Sequence, residues 1–279
     1  MEKFRIKIGH MEVNYGDAHF RRTDNAAAIH NPLVGNLIMD SFSTEVAGEI
    51  YYMYNGIMVM AGVSNGKLNQ DVREQNPAAK IALLGKVGYD KQLNEDTRVR
   101  LTGSIYSVGE TARTYLYAGD RAGSRYYFVT EKVGSSADSQ FRSGRYDPGF
   151  RNELTAIMVN PFVKFKGFEF FGVFETATGK AMSESETRTW TQLSGEGTYR
   201  IGADENFYVV VRYTQASGDE VGAKDLKITR VQAGGGWFLT KNVLAKLEYV
   251  NQSYDGWAAS DIKNGLKFNG VMVEAVISF

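Results

Sequence analysis

The feature that most limits what this chain can become is a period-two alternation of apolar and polar residues that returns about twelve times along 279 residues. The stretches lie near 3–13, 44–54, 57–64, 79–89, 97–108, 154–165, 168–177, 188–201, 206–216, 226–238, 243–253 and 268–279. Most are about ten residues long, the length a tilted strand needs to cross a bilayer. Their connections alternate as well. Short links fall at Asn55–Gly56, Asp90–Asp96, Lys166–Gly167, Ala203–Asn206 and Thr240–Asn242. Between them lie longer polar links near 14–43, 65–78, 109–153, 178–187, 217–225 and 254–267. A globular sandwich has no reason to place long loops at every other turn, whereas an outer-membrane barrel has short turns on one side and long loops on the other. The expectation is a single all-β domain over 1–279: a transmembrane antiparallel up-and-down barrel of about twelve strands, whether complete or lacking N-terminal strands of a larger wall. A closed soluble barrel or a large sandwich is the plainer alternative.

The two faces of each stretch differ in kind. One carries Val46, Ile50, Tyr52 and Tyr54; Ile81, Leu83, Val87 and Tyr89; Val209, Val211 and Tyr213; Ala245, Leu247 and Tyr249; and Val271, Val273, Ala275, Ile277 and Phe279. No Asp, Glu, Lys or Arg interrupts that face, where a midplane Arg or Lys in lipid would cost roughly 2–4 kcal/mol. The other face carries Glu45, Glu49, Lys80, Lys86, Arg98, Arg100, Arg212, Arg230, Lys246, Glu248 and Glu274. Tyr52, Tyr54, Tyr89, Trp237, Tyr249 and Phe279 are the candidates for aromatic girdles at the membrane interfaces. The first stretch fits less well, because Phe4, Ile6 and Ile8 are followed in phase by His10 and Glu12. A bulge at Gly9 would turn Met11 and Val13 outward instead.

Composition excludes several classes. Basic and acidic residues balance at 32 each, so no single-sign field favours nucleic acid. The absence of cysteine excludes a disulfide scaffold and thiolate metal sites. No apolar run reaches the ~18 residues of a membrane helix. The start, MEKFRIKIGH, has no apolar h-region and is not a signal peptide, so a leader has been removed or the chain belongs to something longer.

The ending FNGVMVEAVISF, an alternating strand closed by Phe279, resembles the signal by which the barrel-assembly machinery recognises outer-membrane barrels. More broadly, IKIGHMEVNYGDAHFRRTDN, GIMVMAGVSNG, AGDRAGSRYYFV, SGRYDPGFRNELTAIMVNPFVKFKGFEFFG and GWFLTKNVLAKLEYVNQSYDG resemble porin-like outer-membrane proteins of Bacteroidetes, distantly similar to the phosphate-selective porin O/P group. The resemblance spans most of the chain and its pieces are structural. Larger porins of this type have more strands and a leading segment not found here. What it implies is a bacterial outer-membrane protein in contact with membrane lipid and lipopolysaccharide, passing small hydrophilic solutes, with association into a homo-oligomer left open.

The inferred lumen holds Arg5, Lys7, Lys80, Lys86, Arg98, Arg100, Lys164, Arg188, Arg200, Arg212, Arg230 and Lys246 against Glu45, Glu49, Glu169, Glu175, Glu196, Glu248 and Glu274. That basic excess points to a weak anion preference. Two loops offer constrictions. The first has the adjacent pair Arg21 and Arg22; the longest has Arg113, Arg121, Arg125, Arg142, Arg145 and Arg151. Each either folds inward or stays at the surface. The pore-lining candidates are therefore Arg21, Arg22, Glu45, Glu49, Lys80, Lys86, Arg98, Arg100, Arg121, Arg125, Arg212, Arg230, Lys246 and Glu248.

Two rivals come from other classes: a non-conducting docking barrel whose loops bind a partner or surface glycan, and a phospholipase-type hydrolase. Ser64 and Asn65 in VSNGK superficially suit the latter, but the position two before the serine is Gly62 rather than a histidine, and His10 would approach Ser64 only if the sheet brought strands one and three together. His19 and His30, with Asp17 and Asp24, are read as solvated loop residues rather than a metal site. No cofactor and no enzymatic activity are expected, and the GGG at 234–236 is read as a place where the wall bends or packs closely.

Overall fold

The computed structural model describes residues 3–22, 27–66, 78–118, 129, 131–136 and 144–279. Twelve strands form one antiparallel sheet in sequence order. They are β1 (Phe4–Glu12), β2 (Thr44–Tyr54), β3 (Ile57–Ser64), β4 (Ala82–Gln92), β5 (Thr97–Val108) and β6 (Glu153–Phe165). The chain continues through β7 (Phe168–Lys180), β8 (Arg188–Ile201), β9 (Phe207–Glu220), β10 (Ala223–Thr240), β11 (Val243–Asp255) and β12 (Lys267–Ile277). No helix among the described residues is long and apolar enough to cross a membrane.

Turn chemistry sets the short-link side. At Asn55–Gly56 both residues have positive φ, 48° and 84°, the mirror-image turn whose twist matches a hairpin. Two expectations shift. The fourth strand begins at Ala82 rather than near 79, because its partner β3 ends at Ser64, paired to Ala82, and leaves nothing for residues 79–81 to pair with. The link expected over 217–225 is mostly strand: β9 and β10 run up to Glu220 and down from Ala223, around Gly222 at φ 78°. Nor is there a bulge at Gly9. The β1–β2 register is unbroken from Phe4↔Tyr52 to Glu12↔Thr44, so His10 shares the outward side with Val46. Gly9 absorbs a φ of 147° without shifting the ladder. Among the described residues β1 and β12 pair with no strand on their outer edges.

The wall is inverted relative to a soluble protein. Leu83, Val209 and Leu247 on its outer side are 59%, 52% and 56% exposed, whereas inward Glu45, Glu248 and Lys246 are 0%, 0% and 2% exposed. An uncovered aliphatic band of that extent is a lipid-facing surface. Tyr52, Tyr54, Tyr89 and Trp237 gather near the short-turn end of this band, with Phe4 against Tyr52 (5.2 Å) and Phe207 stacked on Trp237 (5.4 Å). Phe279 follows β12 at the same end and is fully exposed. Tyr249 lies mid-strand, beside Ala233; one outward step further stands Asn251 beside Val231, and a second step reaches Ser253, Thr229 and Gln215. Beyond it β11 continues to Asp255.

The interior is packed. Leu37, Ile38 and Met39 of the β1–β2 loop lie in one cluster with inward Tyr106, Met158 and Trp190. Tyr146 of the β5–β6 loop rests on Trp190 at 4.0 Å. The glycine run of β10 serves this packing, since the ring of Tyr208 occupies the space a Cβ on Gly236 would need.

Candidate functional site

A loop that enters a barrel must find partners for its backbone polar groups, because little water follows it. Here the wall supplies them. Glu248 accepts the N–H groups of Val34 (2.6 Å) and Gly35 (2.9 Å). Lys246 donates to the carbonyls of Ala28 (2.7 Å), Asn31 (3.1 Å) and Leu33 (3.1 Å), and pairs with Glu274 at 2.7 Å. Arg212 donates to the Gly35 carbonyl (2.9 Å) and Arg230 to that of Asn36 (2.9 Å). Gln192 holds Met39 from both sides, accepting its N–H (2.8 Å) and donating to its carbonyl (2.7 Å). Nearer β1, Lys86 donates to the Gly16 carbonyl (2.7 Å) and pairs with Asp17 (2.7 Å), which also meets Arg100 and Thr102. Residues 13–22 and 27–43 are thus a plug held by side chains from β2 to β11.

Most of the expected lining residues are therefore together, but around the plug rather than along an open bore. Glu49 accepts the Asn14 N–H (3.3 Å), and Glu45 is bound by Ser43, Ser64 and Tyr106. Arg22 stays within the loop, 3.2 Å from Asp40 and stacked on Phe42. Arg21 crosses to Glu196 at 2.6 Å and lies over the Phe171 ring at 4.5 Å. Arg98 pairs with Asp90 at the short-turn end. Lys80 precedes β4 and is exposed beyond the long-loop end. Arg121, Arg125 and Arg142 fall outside the described residues. Of the remaining loop arginines, Arg145 and Arg151 turn to Asp147, at 3.5 and 2.5 Å, and Arg113 stacks on Tyr115. The longest loop also enters: Tyr117 donates to Glu175 (2.6 Å), and the Tyr146 N–H to the Ile38 carbonyl (2.8 Å). Sequence reading missed the neutral and loop anchors, Asn14, Asp17, Asn160 and Gln192. Their only advance signal is an inward strand phase for Asn160 and Gln192.

Protonation is shifted at Asp17 and His19 of the first loop. Burial alone would raise the Asp17 carboxyl, but Lys86 and Arg100 against it hold it below its ordinary value. His19 is driven down to about 3, first by burial and then by the Lys86 ammonium; Glu12 Oε1, 3.4 Å from its Nε2, does not offset them.

Spaces remain around the plug, and two of them adjoin. At the short-turn end a cavity of about 380 Å³ is bordered by Arg21, Arg98, Arg100, Arg200 and Lys241. Deeper, a void of about 20 Å³, room for roughly one water, lies among Arg22, Asn31, Asp40 and Arg212. Arg21 and Phe171 border both.

His10 faces outward beside Val46, whereas Ser64 faces inward and donates to Glu45, so the two do not form a dyad. Asp17 and His19, expected to be solvated, are instead buried, Asp17 against Lys86, Arg100 and Thr102, and Asp24 lies outside the described residues. Among the described residues no three His, Asp or Glu side chains converge as metal ligands.

No family model matches the chain, and no curated protein does so. Solved structures do. OmpT of Vibrio cholerae in its trimer form is 13% identical with a TM-score of 0.55, over 99% of this chain and 77% of that one. An anion-selective porin from Comamonas acidovorans is 14% identical with a TM-score of 0.55, over 85% of this chain and 60% of that one. A loop L8 deletion mutant of OmpT gives 12% and 0.52, over 97% and 74%. At such identities the likeness lies in the fold, and that fold is the antiparallel barrel of outer-membrane porins.

Proposed function

We propose that the protein is a narrow outer-membrane channel for passive passage of small hydrophilic solutes, with a weak preference for anions. The observation that carries it is the inverted wall: an apolar exterior around an interior of ionisable side chains, narrowed where the plug brings Arg21 against Phe171 and Glu196. Guanidinium groups at a constriction favour anions. The porin fold and the anion-selective porin among the neighbours support the same reading. We read residues 1–279 as one barrel domain, distantly akin to the phosphate-selective porins of Bacteroidetes, inserted through its C-terminal strand and bathed in lipid and lipopolysaccharide. Association of copies finds support in the trimer form of OmpT. The test is conductance in a planar bilayer with a salt gradient. Small, steady currents whose reversal potential leans toward anions are expected. Clear cation selectivity would end the anion assignment, and no current at all would favour the docking barrel, which the near-filled interior also suits.

A further inference from the structure

The geometry points to a binding site for an organic carboxylate with an apolar body in the cavity at the short-turn end; the inference rests on the channel reading only for how a solute comes to use it. The cavity's volume, about 380 Å³, lies within the range of small-molecule sites. Four guanidiniums and the Lys241 ammonium border it, with Glu169 the single acid among the bordering residues. Each guanidinium is fixed by a carboxylate: Arg21 by Glu196, Arg98 by Asp90, Arg100 by Asp17 and Arg200 by Glu169. Glu196 and Asp17 are shared with Arg212 and Lys86, so the acids are outnumbered. Lys241, on the turn between β10 and β11, has no ion-pair partner among the described residues.

Besides His30, the remaining border is mostly apolar or aromatic: Ile29, Pro32, Phe162, Phe171, Tyr208 and Phe238. Arg21 lies over Phe171 at 4.5 Å, Arg98 over Phe162 at 6.0 Å and Arg200 over Tyr208 at 5.8 Å, so cations alternate with ring faces around one space. A hydrated inorganic ion gains nothing from such rings. A planar carboxylate on an aryl or alkyl body meets guanidinium forks with its head and the rings with its tail. Tyr208 adds an independent sign. It is 4% exposed, and its hydroxyl has no hydrogen-bond partner among the described residues. A buried hydroxyl left unmatched is costly, and a turn of the ring toward the cavity it borders would let a bound carboxylate accept from it.

The test uses the full chain folded in detergent, with benzoate as probe and acetate and inorganic phosphate as comparators, read by titration calorimetry. Expected is saturable benzoate binding, tighter than acetate or phosphate, and roughly fivefold weaker in Lys241→Gln and in Tyr208→Phe, the loss of one polar contact each. Circular dichroism checks that both variants keep their strands; Lys241 is exposed and Phe preserves the ring, so at least one is expected to fold as the parent does. Absence of saturation, phosphate binding as tight as benzoate, or unchanged affinity in the folded variants would overturn the site. A protein that binds benzoate yet carries no current keeps the site and loses the channel. One that conducts without binding loses the site alone.

Discussion

Lys246 concentrates the chemistry of the interior in one side chain. Its three donor directions are taken by loop carbonyls and its charge by Glu274, all away from solvent. Removing one member of such a buried pair strands the other, at roughly 3–5 kcal/mol. Lys246→Met should therefore lower folding stability by about that amount in denaturant titrations. Glu248→Gln, which keeps one acceptor for the Val34 and Gly35 N–H groups, should cost only about 1–2 kcal/mol. Equal losses for the two would contradict the assignment of a charge pair at Lys246. Inward placement of both residues follows from strand phase alone, and is legible in the sequence. What they hold is not, because their loop partners lie more than two hundred residues earlier.

At the level of elements, strands and loop differ in how much of their structure is local. A strand shows itself by alternation within ten residues, and the sequence places all twelve, missing only where a partner ends early, as at β4, or a hairpin climbs further, as at β9 and β10. The first loop has two readings in the sequence because its course depends on anchors in distant strands. Its fixation should depend on acidity. His19 has an ordinary value of about 6.5 when unfolded and about 3 when buried. Between those values the unfolded chain takes up a proton that the folded one refuses, so stability falls as pH drops from about 6.5 toward 3. Asp17 adds to this lower down: its carboxyl is held below the ordinary value, so its contribution stands above that value and is lost as pH falls through the folded one. Denaturation midpoints should decrease between pH 7 and 4, and less steeply in His19→Gln. Parallel curves for the two proteins would remove His19 from the account.

For the whole molecule, the proposed channel makes Arg21 the side chain on which permeation is tested. Arg21 can be replaced without orphaning Glu196, which keeps Arg212 at 2.5 Å. Arg21→Ala should fold, pass larger single-channel currents and shift its reversal potential away from anions, both readable in the same bilayer recording. Unchanged currents would mean that solutes pass elsewhere around the plug.

The free edges of β1 and β12 have a geometric corollary. Each strand reverses the one before it, so after eleven reversals the last runs opposite to the first. Hydrocarbon does not tolerate a row of bare peptide groups, and a ladder that zips those two rims together keeps its antiparallel sense only when nothing, or a pair or several pairs of strands, comes between. With every pairing antiparallel, closure included, the finished girth has even parity, twelve or a larger even count.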